Sequence, residues 1–233
     1  MTVATPSLTI ERRLQRVGSR FVIGVDEVGR GAIAGPVGVG MCVVGGRMSK
    51  IPEGLRDSKL LSERRREQLA PVAESWSLHS GVGLASPAEV DRLGISACLG
   101  LAGARALESL QDAGIPLAES TIILDGHFDW LSPALGGVAN VVTRVKADRD
   151  CASVSAASVI AKVHRDSLMI QHDERIPGYG WRGNKGYGSA AHYAAITELG
   201  PSELHRHSWL KPPSLLDGLL DDSESAAEEL QAS

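Results

Sequence analysis

The stretch Phe21-Val-Ile-Gly-Val-Asp-Glu-Val-Gly-Arg-Gly31 constrains this chain more than any other. Its apolar run, Phe21 to Val25, reads as a buried strand, yet it ends in two adjacent carboxylates, Asp26 and Glu27, and then a Gly29-Arg30-Gly31 turn. Ionised carboxylates at the end of a core strand repel each other and lose hydration. They are tolerable where they face a cleft and share a cation or another positive partner. The glycines let backbone N–H groups approach a ligand closely, and they flank an arginine able to meet a phosphate. One reading is a metal site beside an anion site. A strand running into a glycine turn with solvated charges accounts for the same residues equally well.

Two later segments repeat the anomaly. Thr121-Ile-Ile-Leu-Asp125-Gly126 is an apolar run that ends in an acid and a glycine, and the run from Ala139 finishes at Asp148. Asp26, Glu27, Asp125 and Asp148 offer only hard oxygen ligands, and no His–Cys set has zinc-like spacing, so Mg²⁺ or Mn²⁺ is the matching metal. Two divalent cations would neutralise four carboxylates, the charge balance of two-metal phosphoryl chemistry. One geometric objection stands, because neighbours on a regular strand point to opposite faces. Asp26 and Glu27 can share a site if the strand ends or bulges there, or if Glu27 acts from the side or through water.

The remaining pattern predicts a mixed sheet with helices packed against it, in one α/β domain. A helical turn or more is expected around Leu8 to Val17, and a second strand over Ala34 to Val44, antiparallel to the first because the connection is short. Ser62 is the expected N-cap of a helix reaching about Ala73, with Arg64 to Arg66 as its solvated side. A third strand is expected over Trp76 to Leu84, with helices over Pro87 to Leu93 and Ser96 to Ala113. A helix over Ala152 to Gln171 carries small residues on its first turns and directs Lys162, His164, Arg165 and Asp166 toward solvent. A polar glycine-rich loop, Ile176 to Gly188, and a helix over Ser189 to Leu199 follow.

Composition bounds the functional classes. The chain of 233 residues is 43% hydrophobic, without an apolar run long enough for a membrane span. Its first residues lack the basic-then-apolar layout of a secretory signal, and its three cysteines, Cys42, Cys98 and Cys151, are isolated, so a cytoplasmic protein is expected. The net charge of −4 is unevenly spread. Six acids and no Lys or Arg lie in residues 213–233; removing those six from 28 leaves 22 acids against 24 bases, a body of about +2. The composition predicts a single domain over 1–212 and an acidic, disordered tail over 213–233.

In order along the chain, Gly24-Val-Asp-Glu-Val-Gly-Arg-Gly31, Asp57-Ser-Lys59, Leu124-Asp-Gly126, Lys146-Ala-Asp148, Ser155-Ala-Ala-Ser158, Ala161-Lys-Val-His-Arg-Asp166, Lys185-Gly-Tyr-Gly188 and His205-Arg-His-Ser208 resemble the bacterial ribonuclease HII family. The resemblance covers roughly residues 20–210. It implies an RNase H-like fold with a C-terminal helical portion, and two-metal hydrolysis of RNA in RNA–DNA hybrids and on the 5′ side of single ribonucleotides in duplex DNA, leaving a 3′-hydroxyl and a 5′-phosphate. The family's acidic ligands fall on Asp26, Glu27, Asp125 and Asp148. Its phosphate and 2′-hydroxyl grip falls on Gly29, Arg30 and Gly31, and its junction-sensing tyrosine on Tyr187. Ser58, Lys59, Lys146 and Lys162 are expected to meet phosphates or brace the acids, and Asp166 to pair within its helix. For His205 and His207, nucleic-acid contact and structural hydrogen bonding both stay open. Ala32, His127 and Ala147 depart from the family pattern without removing a ligand, and the role of His127 is open. A monomer without membrane contact is expected, and no convincing docking peptide for a sliding clamp is found. The competing class is a hybrid-binding module without catalysis, disfavoured because four acids beside a phosphate path would weaken binding unless metals were present.

Overall fold

The computed structural model describes residues 5–210, so the acidic tail read over 213–233 lies outside the described residues. In chain order the elements are α1 (Thr9–Arg16), β1 (Phe21–Val28), β2 (Val37–Gly45), α2 (Glu63–Trp76), β3 (His79–Ala85), α3 (Pro87–Leu93), α4 (Ile95–Asp112), β4 (Ser120–Asp125), β5 (Asn140–Arg144), α5 (Ala147–Asp150), α6 (Ala152–Arg175), α7 (Trp181–Asn184) and α8 (Ala190–Leu199). The five strands form one mixed sheet in the order β3-β2-β1-β4-β5. The β1–β2 and β2–β3 pairs are antiparallel, whereas β1–β4 and β4–β5 are parallel. The fold is RNase H-like, and α6 to α8 supply the expected C-terminal helical portion.

Strand alternation divides the core in two. Ile23, Val25, Val39, Met41, Ile122 and Leu124 pack toward α4, while Val22, Cys42, Val44 and Ile123 pack toward α6 and α2. The α6 side is unusually close. A Cβ on Gly24 would collide with the Ser153 backbone, and one on Gly40 with the Ala157 carbonyl, so the glycines and the Ala/Ser start of α6 permit one another. A third cluster, Ala34, Met169, Tyr179 and Trp181, fills the space under the C-terminal helices.

Helix boundaries follow the side-chain chemistry. Ser62 Oγ caps α2 by accepting from Arg65 N–H at 3.3 Å, and Ser86 and Glu89 form a capping box with Pro87 in the first turn of α3. α2 runs to Trp76, past the expected Ala73, because that indole is buried and donates to the Ser49 carbonyl at 3.4 Å. The following strand therefore starts at His79 rather than Trp76. The predicted outward set on α6 is corrected: Arg165 and Asp166 are buried. The Arg64–Arg66 run is likewise not uniformly solvated, since Arg66 donates to the carbonyls of Ser58 and Leu61 at 3.2 and 2.7 Å. Among the described residues no helix is long and apolar enough to cross a membrane.

Candidate active site

Because β1 and β4 are parallel neighbours, their carboxyl ends lie side by side, bringing Asp26 and Glu27 next to Asp125. The β1–β2 register runs without a bulge from Phe21↔Gly45 to Val28↔Gly38, so the strand neither ends nor kinks at the two acids. β4 does stop: its pairing with β1 ends at Val25↔Leu124. Beyond that point β1 has no neighbour on the β4 side, and a cleft of about 370 Å³ opens there. Both acids line it, together with Gly29, Arg30, Gly31, Ser58, Lys59, Asp125, Ser158, Lys162 and Tyr187. Asp26 is buried on the α6 face, and Glu27 is half-buried and held by Arg30 Nη1 at 3.2 Å. Of the routes open to Glu27, the unbroken register rules out a strand end or a bulge at the acids.

Asp148 arrives differently from the expectation. It lies on α5, a single helical turn after β5, rather than at a strand end. Asp125 Oδ1 accepts the Ala147 N–H at 2.7 Å and the Asp148 N–H at 3.4 Å, which fixes that turn against β4. Ser155 adds a bond to the Asp148 carbonyl at 2.6 Å. Lys146, at φ 62° before the turn, is exposed and does not line the cleft. His127 is also exposed and outside it.

The electrostatics follow from this crowding. Burial pushes the Asp26 carboxyl up to about 8, and the charges of Glu27 and Asp125 add to the shift against Ser158 and Lys59. Asp148 is raised by burial and by Asp125 and Asp57. Partial burial works against charge on Lys59, but Asp26, Asp57 and Asp148 outweigh it and hold the ammonium above its usual range. Its Nζ stands 3.3 Å from Asp148 Oδ2 and 3.9 Å from Asp57 Oδ1, while the Asp57 carboxylate also accepts the Lys59 N–H at 2.9 Å. Ser58 and Ser158 hydroxyls pair at 2.8 Å.

As they stand, no three His, Cys, Asp or Glu side chains among the described residues converge closely enough to hold a metal ion. The donor chemistry nevertheless fits a hard divalent cation: the ligands are all carboxylate oxygens, and two of the acids are strained toward protonation by burial and mutual repulsion that a cation would relieve. Asp26, Glu27, Asp125 and Asp148 are the residues that would hold it. A second cavity of about 350 Å³, between α4 and residues 128–134, lacks this chemistry, since its one acid, Asp129, is spent on Leu131 and Ser132.

The glycine turn is held from behind by groups the sequence reading missed. Arg206 Nη2 donates to the Gly29 carbonyl at 2.7 Å and Nη1 to the Arg30 carbonyl at 3.0 Å. Arg165 reaches the carbonyls of Ala34, Pro36 and Lys185 at 3.0, 2.8 and 2.8 Å. Arg165 had a detectable signal: it falls four residues after Ala161 and four before Met169, on the buried stripe of α6. Tyr187, 37% exposed, stands at the cleft with Lys162 and Arg165 each 5.5 Å from its ring centroid. Lys162 Nζ also bonds Asp166 Oδ1 at 2.7 Å, the intrahelical pair expected for Asp166.

His205 is structural. Its Nδ1 accepts the Ser202 N–H at 2.9 Å, leaving its Nε2 proton to bond His192 Nε2 at 3.1 Å. His192 Nε2 also accepts from Trp181 Nε1 at 3.0 Å, and its Nδ1 donates to the Tyr187 carbonyl at 2.9 Å. Both imidazoles are neutral here. Burial, then neighbouring His192, brings His205 down to about 4. His207 is exposed, and its N–H donates to Asp91 at 2.9 Å.

Comparison with known proteins matches residues 23–211 to the family model for Ribonuclease HII. Ribonuclease HII of Streptomyces griseus is 47% identical over 213 residues, covering 90% of this chain and 86% of that protein. Ribonuclease HII of Cereibacter sphaeroides is 42% identical over 214 residues, covering 90% and 93%. Among solved structures, ribonuclease H2 of Pyrococcus horikoshii matches with a TM-score of 0.62 and 27% identity, over 81% of this chain and 93% of that one. The ribonuclease of the PCNA:RNase HII complex of Archaeoglobus fulgidus matches with a TM-score of 0.65 and 25% identity, over 84% and 99%.

Proposed function

The chain belongs to the ribonuclease HII family, a type 2 ribonuclease H that hydrolyses phosphodiesters of RNA in RNA–DNA hybrids, and from that premise we propose a finer reading of its site. Asp26, Glu27, Asp125 and Asp148 hold two divalent cations, Mg²⁺ or Mn²⁺. The enzyme cuts on the 5′ side of a ribonucleotide, including a single one embedded in duplex DNA, and leaves a 3′-hydroxyl and a 5′-phosphate. Cations bound by those acids supply Lewis-acid activation of water and neutralise charge at the leaving oxygen.

The chain's own groups position the substrate. N–H groups of Gly29 to Gly31 and the Arg30 guanidinium take the phosphate and the 2′-hydroxyl, the one group that separates RNA from DNA at a given position. The Tyr187 ring stacks under the deoxyribose after the ribonucleotide. Lys59 donates to a phosphate oxygen, Ser58 steadies the Ser158 hydroxyl beside Asp26, and Lys146 meets a phosphate outside the cleft. A single catalytic domain over 1–212, monomeric and cytoplasmic, completes the reading, and three buried free cysteines support a reducing compartment. The Archaeoglobus fulgidus relative was solved in complex with PCNA; a clamp contact of this chain has no docking peptide to rest on.

One observation carries the reading: Asp26, Glu27 and Asp125, the glycine turn and the Tyr187 ring line a single cleft, with Asp148 tied to it through Lys59 at 3.3 Å. Duplex DNA with one ribonucleotide, incubated with the protein and Mg²⁺ or Mn²⁺, is expected to be nicked on the 5′ side of that ribonucleotide. A strand that stays intact with both metals sinks the proposal. Asp125→Asn is expected to lower kcat by about 10²–10³-fold, the scale of removing one preorganised electrostatic group, while duplex binding is retained.

A further inference from the structure

The turn at residues 29–36 closes through backbone N–H groups at one end: Ala32 donates to Gly29, Ile33 and Ala34 both donate to Gly186, and Gly35 donates to Leu204. Among the described residues, the N–H groups of Gly29, Arg30 and Gly31 donate to no protein acceptor, and all three residues line the cleft. The carbonyls of Gly29 and Arg30 face the buried Arg206. Its guanidinium also reaches Gly35 with both Nε and Nη2 at 3.3 and 3.2 Å. Gly29, at φ 73°, has no room for a Cβ because the Arg165 side chain occupies that space.

Arg165 and Arg206 are both fully buried, and among the described residues neither has a carboxylate within salt-bridge distance. A buried guanidinium satisfied by carbonyls alone is an expensive way to stabilise a fold, because each desolvated charge goes uncompensated. It is, however, an effective way to orient peptide units. Five donors in a rigid fork pin carbonyl oxygens on one side, which turns the same units' N–H groups to the other. The two charges also lie behind a concavity of free donors, the arrangement that favours an anion.

We propose that Arg165 and Arg206 are positioning residues of the substrate site, which hold the backbone of the glycine turn and of Lys185 so that the turn's N–H groups present to a phosphodiester and Tyr187 keeps its place beside it. Arg165 links the two halves, bonding Ala34 and Pro36 on one and Lys185 on the other, with its guanidinium 5.5 Å from the Tyr187 ring. Trp209 covers the Arg206 guanidinium at 4.9 Å. The inference rests on the reading that this turn contacts substrate.

The test is steady-state cleavage of a long RNA–DNA hybrid by the full chain carrying Arg206→Lys or Arg165→Lys, which keep the charge and lose the fork. Leu110→Ala, a core cavity under α4 away from the cleft, serves as a destabilised control. Both lysine variants are expected to raise KM by about tenfold with kcat nearly unchanged, as for loss of binding shared by ground and transition states. The control should keep the wild-type KM. Arg30→Ala reports on the underlying reading: an unaltered KM there removes the turn as a substrate contact and the inference with it. A raised KM in Arg30→Ala beside unaltered KM in both lysine variants overturns the inference alone. Failure of both lysine variants to fold also overturns it, since the arginines would then hold the fold rather than place the turn.

Discussion

Asp26 and Glu27 reach one cleft by different routes, and the difference lies in what surrounds each side chain. Asp26 is buried under α6, so desolvation dominates its proton affinity, whereas Glu27 extends along an uncovered strand end and meets Arg30. The sequence presented both acids and the objection to their pairing. It could not present the solution, which depends on where β4 stops. His205 is a second case. Its ring could serve nucleic acid or the fold, and burial against Trp181 and His192 decides for the fold. A histidine held at about 4 when folded binds its proton first in the unfolded chain, where 6.5 is the ordinary value. The stability it confers is complete above pH 6.5 and is lost as the pH falls toward 4. Chemical denaturation across that range should therefore show wild type losing roughly 3 kcal/mol more than His205→Gln, given about 1.4 kcal/mol per pKa unit. Parallel curves for the two proteins would remove His205 from the acid response.

α6 organises the site. Its Ala/Ser start lies on Gly24 and Gly40, which brings Ser158 beside Asp26 and Arg165 behind the glycine turn. Its N-terminus has no side-chain cap from Cys151; Glu11, from α1, accepts instead from Ser153 N–H at 3.0 Å and Ser153 Oγ at 2.9 Å. The small-residue run was visible in the sequence, and so were the glycines of β1 and β2. That the two meet was not, because residues 24 and 153 are joined only by the fold. Gly24→Ala should force the helix off the sheet, destabilising the protein by about 3 kcal/mol, the upper range for overpacking, and lowering kcat. Thermal melts and hybrid cleavage check this, and a variant with wild-type melting and turnover would show that the contact has slack.

At the scale of the molecule, a net charge of −4 conceals a body of about +2 with its remaining acidity in residues 213–233. Six acids tethered to a nucleic-acid-binding body compete with phosphates for its basic groups, and salt screens that competition. A chain ending at residue 212 is expected to keep its melting temperature and kcat, and to bind hybrid severalfold more tightly at low salt, a gain that fades toward physiological ionic strength. Binding titrations at two salt concentrations measure it, and equal affinities at low salt would assign the tail no electrostatic role.

By itself the sequence determined the strand–helix order and the mixed sheet, and it singled out Asp26, Glu27 and Asp125, because these depend on local periodicity, capping residues and charges placed where a core strand ends. The family resemblance assigned the glycine turn and Tyr187 in the same local way, through motifs contiguous in the chain. Only the tertiary structure decided that Asp148 comes from a helical turn, that Glu27 enters past the end of β4, and that Arg165 and Arg206 stand behind Gly29-Arg30-Gly31. Those facts rest on where separate strands stop and on which carbonyls the two buried guanidiniums reach. They are properties of packing between distant segments, which no local pattern encodes.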